Sequence, residues 1–160
     1  MSLAERLAKA SDRMYDRLRS SKAFDIAEGP ATGTIDDLRG RKYCVLVTYR
    51  RNGDPMPSPL WFGTRNSKLY FQTGATTAKV KRIRHNTAVR VAPATTRGRP
   101  LGPPFAGRAR ILPAAEEPEA ERWLQANYGI GRRIYSLFGR GVESVYVEVV
   151  PTTPDPSGDN

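Results

Sequence analysis

The stretch that decides the fold is residues 68–94, KLYFQTGATTAKVKRIRHNTAVRVAPA. It opens on KLYFQT, rich in aromatic and large apolar residues, and closes on AVRVAPA, where valines alternate with other residues. Both patterns fit strands. Between them Gly74 permits a tight turn, and TTAKVKRIRHN sets Val80 and Ile83 three residues apart, the spacing of one helical face. Thr76 or Thr77 caps this short helix. The helix also carries Lys79, Lys81, Arg82 and Arg84, and no acid interrupts the stretch. Such a helix is either a solvated face or a seat for something anionic.

Outward from this unit the chain reads as short strands. Upstream, YCVLVTYRR (43–51) is β-branched and aromatic, NGDP turns the chain, and MPSPLWFGT (56–64) returns. Its prolines confine the first half of that strand to a sheet edge or an irregular entry. RNS ahead of KLYFQT suits a tight hairpin. Downstream, FAGRARIL (105–112) follows the loop TTRGRPLGPP, and ESVYVEVVP (143–151) alternates Val145, Val147 and Val149 on one face. Between these two strands, residues 114–139 turn helical, with a break or bend at Gly129 and Gly131. Leu3, Leu7, Ala10, Met14 and Leu18 stand three and four residues apart, which predicts an amphipathic helix ending near Ser20, with Ser2 and Glu5 as its capping box. The expected architecture is mainly β (α+β): a six-stranded antiparallel barrel with helices covering its openings. The expected divisions are a helical extension and linker over 1–36, a barrel domain over 37–151 and a disordered tail over 152–160.

Charge distribution narrows the function. The chain has 160 residues and a net charge of +10, yet 11 of its 26 Lys/Arg and none of its 16 Asp/Glu fall within residues 55–115. A basic, acid-free middle implies an anionic partner. The single Cys44 excludes an internal disulfide and a cysteine metal cluster, and the single His85 leaves no histidine metal site and little material for a triad. His85 reads as a structural or surface residue. No GxGxxG or GxxxxGK[ST] loop is present, and the acid-free half offers no carboxylate pair for glycosidase-type hydrolysis. Nucleic-acid barrels interleave aromatics with basic residues, and RVAPATTRGRPLG has no aromatic, so no nucleic-acid partner is expected. No apolar run approaches the roughly 20 residues of a membrane span and no signal-peptide core opens the chain, so no membrane partner is expected and the cytoplasm is the expected compartment.

The run over 43–112, carried by RRNGDPMPSPLWF, LYFQTGATTAKVKRIRHN and FAGRARIL in that order, resembles the split β-barrel flavin and deazaflavin-binding superfamily, pyridoxamine-5′-phosphate-oxidase-like, and within it the branch that uses coenzyme F420. ESVYVEVVP matches the usual final strand, and the N-terminal helix lies outside the resemblance. The resemblance implies a homodimeric oxidoreductase with coenzyme sites between subunits, acting on a small-molecule substrate. Thr73, Lys79 and Lys81 match the positions that hold the coenzyme phosphate, and Thr77 stands where some relatives carry a further basic residue. Met56, Ser58, Pro59 and Trp61 match the strand against which the ring system lies; ordinary strand packing is the competing reading of these four. F420 suits the basic middle because it adds an acidic tail to its phosphate, whereas FMN, the alternative, has the phosphate alone. A reduced deazaflavin donates hydride and needs no protein nucleophile. Substrate is expected near Trp61, Tyr128 and Tyr135. A coenzyme-binding carrier without turnover is the remaining alternative.

Overall fold

The computed structural model describes residues 19–128 and 143–152, together with Leu3 and Arg6. Seven strands form one antiparallel sheet: β1 (Tyr43–Tyr49), β2 (Pro55–Leu60), β3 (Gly63–Arg65), β4 (Lys68–Gly74), β5 (Ala88–Ala94), β6 (Phe105–Ile111) and β7 (Ser144–Pro151). Helix α1 (Ala78–His85) joins β4 to β5, and α2 (Glu117–Tyr128) follows β6 through a 3-10 turn at Ala114–Glu116.

The strand order is β2-β1-β5-β6-β7-β4-β3. Its two edges, β2 and β3, are separated in the chain only by Trp61 and Phe62, and three Cα steps span at most about 11 Å. The sheet therefore curls until its edges meet at that corner, giving a half-barrel. The six-strand expectation is corrected here. The segment over 56–64 is two strands, because its first half pairs with β1 and its second half with β4. A change of partner forces a bend at Trp61–Phe62, and the local pattern of the segment does not reveal it. The edge position of the proline-bearing half, by contrast, is as expected. So is the tight hairpin: Asn66 and Ser67 between β3 and β4 both adopt positive φ, 52° and 59°, as the two-residue primed turns require.

Residue parity sorts the side chains. Cys44, Leu46, Leu60, Leu69, Phe71, Val89, Val91, Phe105, Val147 and Val149 fill the inside of the curl, joined by Ile83 of α1. Val45, Val47, Ala92 and Ala94 point outward from β1 and β5 and are covered by Ala23 and Ile26 of a 3-10 helix at Ser21–Ile26 and by Ala27, its C-cap. That 3-10 helix, capped by Ser20, begins where the expected N-terminal helix ends. The expected helix itself lies outside the described residues except for Leu3 and Arg6, which are helical. The expected bend at Gly129 and Gly131 and the tail beyond residue 152 also lie outside them.

The two helices play different parts. α1 closes one mouth of the curl, burying Val80 and Ile83. α2 does not cover the other mouth; it runs along the outer face of β3 and β4 with Ala120 and Leu124 buried. Its approach depends on Gly63, where a Cβ would stand 2.4 Å from the Trp123 carbonyl oxygen. On the same outer face Arg110, Glu148 and Tyr70 are direct neighbours across β6, β7 and β4. The buried Glu148 accepts from the Tyr70 hydroxyl (3.0 Å) and from Arg110 (3.3 Å), while Arg110 also grips Glu116 through two bonds of 3.0 Å. Burial, reinforced by the Glu148 carboxylate, pushes the Tyr70 hydroxyl up to about 12. The Arg110 guanidinium holds the Glu116 carboxyl below its ordinary value. Strands of the three-strand row are thus tied by charge as well as by their ladders.

Candidate functional site

The mouth closed by α1 gathers the ends of β1 and β4 and the start of β2. Inner-face residues at these positions are Thr48, Thr73 and Met56, with Ser58 one step deeper, opposite Leu46. The chain reaches α1 through the turn after Thr73, and Thr77 is the N-cap residue with extended backbone. The first N–H groups of any helix lack intrahelical acceptors, and its start carries partial positive charge.

Hydroxyls and cations meet at this mouth. Lys79 Nζ donates to Thr73 Oγ1 at 3.4 Å. Thr73, 8% exposed, lies 3.5 Å from the Thr77 hydroxyl, and Thr77 donates to the Gly74 carbonyl at 3.0 Å. That bond commits the Thr77 proton to the turn. One helical turn after Lys79, Arg82 Nε donates to Thr48 Oγ1 at 2.7 Å, and the fully buried Thr48 donates in turn to the Met56 carbonyl at 3.4 Å. The basic helix is therefore linked to β2 through one threonine.

The residues singled out in the sequence do not all converge. Thr73 and Lys79 touch, and Met56 and Ser58 lie on the inner face at the same mouth. Lys81 is exposed on the other flank of α1, since Lys79 and Arg82 are three apart and Lys81 is two from Lys79. Pro59 has the opposite parity on β2 and lies outside, near Ala23 and Gly98. Trp61 sits at the corner between β2 and β3, its ring edge-on to Tyr43 with centroids 6.5 Å apart. Pro57, also outward, gives its carbonyl to Arg19 at 2.8 Å. Tyr135 and the Tyr128 side chain lie outside the described residues. His85 is exposed and accepts from Arg51 at Nε2, 3.1 Å, as befits a surface residue. Arg82 and Thr48, not singled out from the sequence as coenzyme-binding residues, are also at this mouth, and the three-residue spacing of Lys79 and Arg82 was the available signal.

A concavity of about 480 Å³ lies at the other end of the sheet, among the turn at Ile35–Leu38, the β3–β4 hairpin and α2. The Arg65 guanidinium lies 5.0 Å from the Trp123 ring centre there, a cation–π contact. Among the described residues no group of three or more His, Cys, Asp or Glu could hold a metal ion, and no helix is long and apolar enough to cross a membrane.

The curled antiparallel sheet, with a short basic helix over one mouth, is a split-barrel fold. The family model for pyridoxamine 5'-phosphate oxidase matches residues 31–137, and the chain belongs to that family. Solved structures share the fold at low identity. An F420 reductase is 23% identical, with 78% of this chain and 97% of that one covered and a TM-score of 0.50. The heme storage protein HutZ of Vibrio cholerae is 13% identical over 74% and 87%, with a TM-score of 0.58. An FAD-binding protein of Mesorhizobium loti is 15% identical over 74% and 84%, with a TM-score of 0.52. No curated protein matches the chain. These three proteins are described by F420, heme and FAD respectively.

Proposed function

We propose that the chain is an F420-dependent oxidoreductase, acting as a homodimer on a small organic substrate. The observation that carries this is the meeting of Thr73, Lys79, Thr48 and Met56 at one mouth, beneath a basic helix that belongs to a sequence stretch, residues 55–115, without Asp or Glu. The donor set fits a phosphate. An ammonium and a hydroxyl stand within hydrogen-bond reach of each other, and an arginine stands one turn away. Charge-assisted donors of this kind bind phosphoryl oxygens strongly. Basic charge beyond the phosphate seat favours a coenzyme with further carboxylates over FMN.

When bound, a reduced deazaflavin supplies hydride at a ring carbon. The chain's own residues then have two tasks. Lys79 and Thr73 hold the phosphate. The inner-face edge of β2, with Met56 and Ser58, positions the ring. No side chain has to act as a nucleophile.

The test is titration of the purified protein with F420 and with FMN, followed by the quenching of Trp61 and Trp123, its two tryptophans. F420 binding more tightly than FMN, followed by turnover of a quinone, enone or tetrapyrrole with reduced F420, supports the reading. Binding without turnover of any of them makes the protein a carrier. Exclusive binding of heme or FMN refutes the F420 assignment.

A further inference from the structure

We infer that the concavity between the β3–β4 hairpin and α2 is a binding site for a small aromatic monocarboxylate, seated where Arg65 meets Trp123. It is separate from the α1 mouth. The hairpin precedes β4 and α1 follows it, so a strand about 20 Å long lies between the two. The volume of about 480 Å³ falls within the range of about 300–1,000 Å³ that small-molecule sites occupy.

One positive charge in the concavity is uncompensated. Its lining holds two guanidiniums, Arg39 and Arg65, and one carboxylate, Asp36, which pairs with Arg39 at 3.6 Å. Arg65 stacks on the Trp123 ring, 5.0 Å from its centre, and among the described residues nothing engages its N–H donors. Stacking uses the face of a guanidinium and leaves its edge open. That edge is a planar fork matching the two oxygens of a carboxylate. The stack also fixes the plane of the fork, so less side-chain freedom is lost when an anion arrives. The other walls set the body of the ligand. Ile35 and Trp123 are half-buried and offer apolar surface, over a floor closed by the buried Leu38 and Phe62. Aromatic walls favour an aromatic ring packed edge-on or offset. Asn127 restricts the ligand to one carboxylate. Its Nδ2 donates to the Phe62 and Arg41 carbonyls, at 2.8 and 3.4 Å, so only the Oδ1 acceptor remains to be offered.

The probe is naphthoate, with naphthylmethanol as its neutral counterpart and acetate as a carboxylate without a ring. Trp61 and Trp123 are the two tryptophans, so their indole N–H signals can be told apart in a proton–nitrogen correlation spectrum with Trp61→Phe as reference. Naphthoate should move the Trp123 signal saturably, at one site per chain, and acetate should bind more weakly. Arg65→Ala should weaken naphthoate about five- to tenfold and leave naphthylmethanol within about twofold, and Arg65→Lys should keep part of the affinity. Arg84→Ala, which removes the same charge from α1, should leave naphthoate within about twofold. So should Arg39→Ala, because Asp36 shares that guanidinium. Ala126→Phe adds a ring to the lining from an exposed helix position and should abolish binding while the melting transition stays cooperative. A loss in Arg84→Ala equal to that in Arg65→Ala would mean attraction to net charge alone, and undiminished binding by Ala126→Phe would mean that the ligand sits elsewhere. Either result overturns the site. So does a Trp123 signal that fails to move with naphthoate, or that moves with protein concentration alone, as closure of the concavity by a second copy would produce. F420 takes no part in these measurements, so their failure leaves the coenzyme reading untouched.

Discussion

Replacing Gly63 by alanine adds one methyl group to the chain and should dislodge a helix. The added Cβ would lie 2.4 Å from the Trp123 carbonyl oxygen, 2.6 Å from its carbon and 2.9 Å from the Leu124 nitrogen. Normal contact begins near 3.5 Å, so α2 must retreat by about 1 Å from β3. No side-chain rotation can relieve this, because every obstacle is backbone. The retreat loosens Ala120 and Leu124, which are 1% and 0% exposed, and the Asn127 bond to the Phe62 carbonyl at 2.8 Å. Overpacking ordinarily costs about 1–3 kcal/mol, and a backbone obstacle places this site toward the upper end. For a domain of this size that is a fall in Tm on the order of 10 °C. Gly53→Ala provides the comparison. Gly53 has φ +92° with nothing within 4 Å, so its substitution carries a conformational cost of about 1–2 kcal/mol and no clash. Urea unfolding of wild type and both variants gives the free energies, and Trp123 fluorescence in the folded state reports the movement of α2. A Gly63→Ala protein no less stable than Gly53→Ala, with wild-type emission, would refute the close-approach reasoning.

Other outcomes follow from the same geometry. Glu148→Gln should destabilise the fold by about 1.5–3 kcal/mol in urea titrations, because it weakens charge-assisted bonds from Tyr70 and Arg110 at a buried position. Tyr70 keeps its proton to about 12 in the folded chain, above the ordinary tyrosine value, so its contribution to stability is complete below about pH 10 and is lost as pH rises toward 12. Tyr70→Phe should flatten that part of the alkaline stability profile. Cys44 is wholly buried, and burial raises its thiol pKa, so a thiol reagent should label the native protein only at the rate of its unfolding. The preference for F420 over FMN should narrow as salt is raised from 50 to 500 mM, since contacts to an acidic tail are screened, and a salt-independent ratio would count against them.

Strand and helix identities were legible because local pattern decides them. The valine alternation of β7 and the Val80–Ile83 spacing of α1 each report one face buried against one core. The Asn66–Ser67 turn was legible for a similar reason, since a two-residue link between strands accepts few conformations. The acid-free middle needed only counting. What tertiary structure decided involves partners distant in the chain. The segment over 56–64 becomes two strands because β1 claims one half and β4 the other, and strand propensity is silent about which neighbour a strand will find. Gly63 looked like an ordinary strand residue until α2, some sixty positions later, was laid across it. In the site, sequence supplied Thr73 and Lys79 from within one turn. Arg82 is tied instead to Thr48, 34 residues away in the chain, and Lys81 is turned to the other flank by the helix's own rotation. Local pattern is set by the next few residues, whereas a binding mouth is assembled from the ends of several strands, and only the closing of the curl brings those ends together.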